Sequence, residues 1–319
     1  MQTTPHLSRR GALGLLAGAA LFPRSVLAGG MASLSGHAFG TSWRLLADTG
    51  QPLERLGREI ERVFAEVDTV FSPWRPDSVI SRFNAEKAGS VQHAALSEVS
   101  SRALNLARKS EGAFDPTVGP LVARWGFGPI TGGGQPDWHG LSTGAGAIAK
   151  ARDDVTLDLC GIAKGWALDR AGALATAFGL SDFLFELGGE LIAQGQHPTG
   201  RDWRLSVEAP APAPALRLPG GAAVATSGVW RQSYHLNGRL YSHIIDTRTD
   251  EPLSGALRSV TVVAAEATIA DGWATALCAA GAEAGPDLAA TEDLAALFLV
   301  ESPSGLRQIE TGPIRDFLL

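Results

Sequence analysis

Ala222-Ala223-Val224-Ala225-Thr226, Leu240-Tyr241-Ser242-His243-Ile244-Ile245 and Ser259-Val260-Thr261-Val262-Val263-Ala264 succeed one another with no helical period between them. Branched and aromatic residues, which suit a pleated backbone, dominate the second and third runs. Further extended runs are expected at 42–47, 183–194, 203–208 and 295–301. Most of them are adjacent in order, as strands joined by hairpins are. Helices punctuate the list without alternating with it. Leu53, Leu56, Ile60, Val63, Phe64, Val67 and Val70 recur at three and four, so 52–70 is an amphipathic helix, and 95–110, 162–177 and 267–280 are expected to be others. Successive strands interrupted by a few helices give an α+β fold with a largely antiparallel sheet and packed helices.

Residues 1–28 read as an export signal and stand outside that fold. Ser8-Arg9-Arg10-Gly11-Ala12-Leu13 is a twin-arginine pattern, followed by an apolar stretch over 11–22 and the small-residue end Val26-Leu27-Ala28. The stretch is shorter than the roughly 20 residues a membrane span needs. The expectation is therefore a periplasmic protein, with no lipid anchor because no cysteine follows the signal. Loss of Arg9, Arg10 and Arg24, with no acid, takes the net charge from −6 to −9. An acidic surface without Lys/Arg runs argues against nucleic acid or an anionic membrane as partner. Two cysteines, Cys160 and Cys278, make no disulfide framework and are expected to be free, buried thiols.

The segments 131–137 and 210–214 are Gly- or Pro-rich surface loops, and neither separates domains. Gly144-Ala145-Gly146-Ala147-Ile148-Ala149 imitates a dinucleotide-binding glycine pattern, but it follows a loop and lacks the acidic residue at the expected distance. It is read as coincidence.

Three constellations carry chemistry. Asp271 and Thr275 are four apart and share one face of a nearly apolar helix. A solvated helix face is the simpler reading of such a pair, yet with Ala270, Ala274, Ala276 and Leu277 around it a carboxylate needs a partner or a metal. Carboxylate plus hydroxyl suits a hard cation such as Mg2+, which takes oxygen ligands and completes its shell with phosphate and water. His243 lies in an extended segment, where a histidine is more often a hydrogen-bonded filler than a catalyst. Flanked by Ser242 and Asp246, with Arg248 able to pair with a phosphate, it becomes a candidate general base. The third is Leu157-Asp158-Leu159-Cys160-Gly161-Ile162-Ala163-Lys164-Gly165, an extended piece entering a helix. Asp158 capping that helix is the plain reading. Lys164 in the first turn opposes the helix dipole, a poor choice unless an anion sits there.

With Ala38-Phe39-Gly40-Thr41-Ser42-Trp43, the runs 71–78 and 81–84, Gly112-Ala113-Phe114-Asp115-Pro116-Thr117, Glu186-Leu187-Gly188-Gly189-Glu190 and Ser227-Gly228, these segments resemble the ApbE family from about residue 36 to residue 281. The resemblance implies a single large, T-fold-like domain over 29–319 that attaches FMN, taken from FAD, to a threonine or serine of a target protein. It implies Mg2+ on Asp271, Thr275 and the main-chain carbonyl of Gly161, and a catalytic role for His243. FAD contacts are implied at Phe39, Trp74, Ala113, Phe114, Asp115, Asp158, Lys164 and Ile245. The chain departs from the family where Phe39 replaces a common methionine, Trp74 a common tyrosine, and Cys160 a small residue. Both aromatic changes keep a surface on which a ring system stacks.

The implied partners are FAD and a periplasmic flavin-accepting redox protein, with AMP released. Hydrolysis of FAD to FMN and AMP by the same site, and a flavin-binding protein without catalysis, are the alternatives. Thr143-Gly144-Ala145 looks like an acceptor site of such enzymes, but Gly140 stands where an aspartate is expected, so the chain is not read as its own target.

Overall fold

The computed structural model describes residues 26–28, 31–210, 213–229, 233–236 and 239–319. The expected leader lies outside them except for its last three residues, which pair with 31–33. Nine strands make one sheet: β1 (Val26–Ala28), β2 (Met31–Ala38), β3 (Thr41–Ala47), β4 (Phe183–Leu187), β5 (Glu190–Gln194), β6 (Ala223–Gly228), β7 (Leu257–Ala264), β8 (Ala295–Ser302) and β9 (Gly305–Thr311). Their order across the sheet is their order in the chain, and each described pairing is antiparallel. Chain neighbours are thus spatial neighbours, the arrangement with the simplest connections.

Six α-helices among the described residues accompany the sheet: α1 (Glu54–Phe71), α2 (Val79–Ala85), α3 (Ala94–Lys109), α4 (Gly119–Arg124), α5 (Ala163–Ala177) and α6 (Ala267–Thr291). The seam of α1 buries Leu56, Ile60, Phe64, Val67 and Phe71. Phe64 meets Trp43 and Phe185 of the sheet at ring separations of 6.0 and 6.3 Å. A second apolar cluster, including Trp203, Leu216, Leu218, Val224, Leu297 and Ile314, contains further residues of β6 and β8. With cover on both faces, β7 and β8 are almost wholly buried, which is why they read as unbroken apolar runs.

Helices α5 and α6 hold each other's beginnings. Asp169 of α5 accepts the N–H groups of Ala267 and Thr268 at 2.7 and 2.9 Å and the Thr268 hydroxyl at 2.5 Å. In return, Asp271 Oδ2 of α6 accepts the Gly165 N–H at 2.9 Å. Each carboxylate satisfies donors that a helix start leaves unpaired. The exchange needs backbones in contact, and a Cβ on Gly165 would lie 2.3 Å from the Ala267 carbonyl oxygen. Gly165→Ala is expected to cost about 2 kcal/mol through overpacking against backbone that has no room to yield. An unchanged denaturation midpoint and slope would refute this.

Several elements differ from expectation for local reasons. The run 183–194 is two strands, folded at Gly188 and Gly189, whose φ values of +63° and +111° favour glycine. The glycine pattern at 144–149 is a hairpin, Leu141–Gly144 against Ala147–Lys150, turned at Ala145 and Gly146 with φ of +49° and +76°. The run 240–245 divides into Arg239–Ser242 and Ile245–Asp246. The buried Ser242 hydroxyl takes the Ile244 N–H at 3.1 Å, diverting it from a ladder, so His243 occupies a break and not a strand. Strand β2 has no counterpart among the expected runs, being rich in small residues. It is sustained by Trp43, whose ring occupies the place of a Gly36 side chain at 2.7 Å. Helix α6 breaks at Gly281, φ +84°, so its expected span, 267–280, is its first segment.

Candidate active site

The turn before α5 is built by Asp158. Its N–H donates to the Pro116 carbonyl at 2.7 Å, and its Oδ1 accepts the Cys160 N–H at 2.9 Å. Asp158 therefore shapes the turn and does not cap the helix. The residue preceding α5, Ile162, offers no side-chain cap, and that duty falls to Asp271. Gly161 sits at the top of the turn, where a Cβ would lie 2.9 Å from Thr275 Cγ2 and 3.2 Å from both Thr275 Oγ1 and Phe114 Cε2. Only glycine lets this turn approach α6 so closely. Thr275 Oγ1 is 3.2 Å from Ser227 Oγ at the end of β6. Gly161 thus abuts Thr275, which lies four residues along α6 from Asp271.

The corner is charged, and its two acids are buried. Asp271 and Glu190 are each 3 % exposed. Lys164 pairs with Glu190 Oε1, while Glu190 Oε2 has no partner among the described residues. Burial opposes the Lys164 ammonium, but the Asp271 and Glu190 carboxylates prevail and hold it above its ordinary value. Burial raises the Asp271 carboxyl to about 6; Lys164 opposes that rise and Glu190 adds to it. Burial, then the Asp158 charge, pushes the Cys160 thiol well up, leaving it protonated; Cys160 and Cys278 are both free, the former only half-buried.

Two buried acids thus face one ammonium. An unmatched interior charge is costly, and an orphaned carboxylate oxygen in such a place calls for a further cation or donor. Among the described residues no three His, Cys, Asp or Glu side chains gather as a metal cage. One carboxylate, one hydroxyl and a main-chain turn are an oxygen donor set, which fits a hard divalent ion that keeps part of its shell for water and phosphate.

Contacts link some of the other candidate residues to this corner, and the rest lie elsewhere. Phe114 is buried and touches the Gly161 turn, whereas the Asp115 carboxylate is engaged by the Thr117 N–H and hydroxyl at 2.7 and 2.5 Å. Thr247 donates to the Gly112 carbonyl at 2.8 Å, tying the segment of His243 and buried Ile245 to the Gly112-Ala113-Phe114 loop. Phe39 heads the β2–β3 turn with φ +52°, an uncommon conformation for a bulky residue, its ring 5.6 Å from that of Phe64. Thr41, the first residue of β3, packs where a Gly188 side chain would be. The His243 ring meets Phe127 at 6.3 Å. Trp74, 63 % exposed, has no described ring contact.

A second expectation is corrected. Arg248 is not held ready for a phosphate: its Nε and Nη2 grip the two oxygens of Asp246 at 3.0 and 2.9 Å, and Nη2 also reaches the Ala280 carbonyl. Two residues acquire a place that the sequence reading did not assign, Glu190 and Ser227. Both stood in quoted motifs, but their partners Lys164 and Thr275 lie 26 and 48 positions away. A groove of about 630 Å³ between α3 and 138–143 contains none of the candidate residues.

The ApbE family model matches residues 39–298. The chain is 30 % identical to an FAD:protein FMN transferase of Klebsiella pneumoniae, over 90 % of this chain and 89 % of that one. It is 32 % identical to a like-named protein of Vibrio cholerae, over 77 % and 80 %. The apo crystal structure of the Pseudomonas stutzeri flavinyl transferase ApbE superposes with a TM-score of 0.82 at 30 % identity, over 93 % of this chain and 98 % of that one. The structure of the Vibrio cholerae flavin transferase ApbE gives 0.80 at 31 %, over 93 % and 100 %.

Proposed function

The chain belongs to the ApbE family, and from that premise we propose that this flavin transferase moves FMN from FAD to a threonine or serine hydroxyl of a periplasmic acceptor, releases AMP and uses Mg2+. The observation that carries the reading is the buried corner in which Asp271 and Glu190 outnumber Lys164, near the Thr275 hydroxyl and the Gly161 turn packed against it. Asp271, Thr275 and the Gly161 carbonyl would hold the ion, which when bound neutralises charge developing on the diphosphate. Lys164, kept protonated by its two acidic neighbours, would bind the phosphate oxygens. Phe39, Trp74, Ala113, Phe114, Asp115, Asp158 and Ile245 would line the place of FAD.

His243 would take the proton of the acceptor hydroxyl at a ring nitrogen. The freed oxygen bonds to the FMN phosphorus, the bond from that phosphorus to the AMP phosphate oxygen breaks, and AMP leaves with the electron pair. FMN stays on the acceptor as a phosphoester. The reading of Arg9-Arg10 as an export signal supports a periplasmic acceptor.

A peptide bearing Thr-Gly-Ala, with aspartate three residues before the threonine, tests the reaction when incubated with the protein, FAD and Mg2+. The expected result is the FMN mass increment on the peptide with an equal amount of AMP, both lost in chelator. AMP without labelled peptide would mean hydrolysis instead of transfer, and intact bound FAD would mean a carrier. Full transfer in chelator would remove the metal from the account.

A further inference from the structure

Lys164, the second residue of α5, has two carboxylates within its field. Asp271 comes from the first segment of α6, and Glu190 opens β5. The ion pair of Lys164 is with Glu190 Oε1, and among the described residues no ion pair joins it to Asp271. Asp271 acts on the ammonium by charge alone, whereas Glu190 adds a hydrogen bond. Asp271 Oδ2 accepts instead the N–H of the next residue of α5, Gly165, at 2.9 Å. One ammonium between two acids thus rests on one of them and leaves the other.

The two members of the pair differ in freedom. The Glu190 side chain is 4 % exposed and the Lys164 side chain 33 %. Glu190 is set by the sheet: it faces Leu187 across the β4–β5 turn, with Gly188 and Gly189 between them. Lys164 carries its charge on a flexible four-carbon stem, which goes to whichever anion holds it. Without the Glu190 charge that anion is Asp271, and the ammonium then competes with a divalent ion for the same carboxylate. Stability gives little reason for an acid at 190. A buried ion pair returns about what its desolvation costs, and Glu190 Oε2 is buried with no partner among the described residues.

We propose that Glu190 is a positioning residue for the transfer reaction: it holds the Lys164 ammonium off Asp271, leaving that carboxylate to the divalent ion and the ammonium to the phosphates. The inference rests on the transferase reading above, in which Asp271 binds the ion and Lys164 the phosphate oxygens. It gives Glu190 no contact with FAD. The effect passes through Lys164, so it vanishes when Lys164 is gone.

The test titrates Mg2+ alone, without FAD, and reads the rise in Tm of the wild type, Glu190→Gln, Lys164→Met and the double variant. Glutamine keeps the shape and an acceptor oxygen and removes the charge. Glu190→Gln is expected to raise the Mg2+ concentration for half of the rise at least about tenfold, but less than about twofold when added to Lys164→Met. Glu190→Asp keeps the charge and is one methylene too short to hold Lys164, so it should weaken Mg2+ binding in the same direction. Equal weakening by Glu190→Gln in both backgrounds, or wild-type Mg2+ binding by either Glu190→Gln or Glu190→Asp, would overturn the positioning role. No rise of the wild-type Tm with Mg2+ would instead remove the metal from the proposed function, and the role of Glu190 with it.

Discussion

Asp271→Asn is expected to reduce FMN transfer by about a thousandfold or more, roughly 4 kcal/mol of barrier, while making the metal-free protein more stable. Both outcomes follow from one side chain. Burial, opposed by Lys164 and reinforced by Glu190, raises the Asp271 carboxyl from 3.8 to about 6, so the fold binds its proton more tightly than the unfolded chain does. The stability this proton confers is complete below the unfolded value and is lost as pH rises through the folded one. At neutral pH the metal-free protein therefore carries the whole cost of the ionised acid, on the order of 3 kcal/mol. Asparagine removes the charge and keeps an oxygen for the Gly165 N–H, the bond that caps α5.

In chelator at pH 7.5 the variant should melt several degrees above the wild type, and the gap should close as pH falls to about 4, where both side chains are neutral. Added Mg2+ should raise the Tm of the wild type alone. A variant that melts no higher than the wild type in chelator would refute the buried-charge account, and one that still transfers FMN at full rate would refute the metal-binding role.

His243→Ala is expected to lower transfer by about a thousandfold, the middle of the range for a positioned base, with FAD affinity unchanged. The separation of the two effects comes from position. His243 sits at the break after Arg239–Ser242 with its ring against Phe127, whereas the charged corner is formed by α5, α6 and the start of β5. Equilibrium titration of FAD and AMP release in single-turnover mixtures read binding and chemistry separately. Loss of both would mean that His243 holds the flavin; loss of neither would remove it from the mechanism.

Legibility differed by the kind of contact that decides each element. Helix α1 declares itself because its apolar seam repeats within its own eighteen residues, and β7 and β8 because apolar cover on both faces leaves an unbroken run. Strand β2 does not, since its small residues have little strand preference of their own and depend on the Trp43 ring lying over Gly36. The break at His243 was hidden for a similar reason. The run 240–245 has strand composition throughout, and only the buried Ser242 hydroxyl, capturing the Ile244 N–H, interrupts it.

The same division runs through the site. Asp271 and Thr275 were readable as a pair because four residues of helix place them on one face, and Lys164 stood out as a cation in a first turn that repels it. Arg248 looked equally available, yet a carboxylate two residues away, Asp246, already holds it.

By itself the sequence determined the α+β class, the antiparallel neighbours, the main helices and which residue types could grip a diphosphate, because these depend on period, turn chemistry and spacing within one element. Tertiary structure alone decided that Asp271 caps α5, that Glu190 answers Lys164, that Ser227 reaches Thr275, and that the corner holds one more acid than base. Those pairings join segments 26 to 106 positions apart, and their strength comes from the exclusion of water, which exists only after sheet and helices have closed over them.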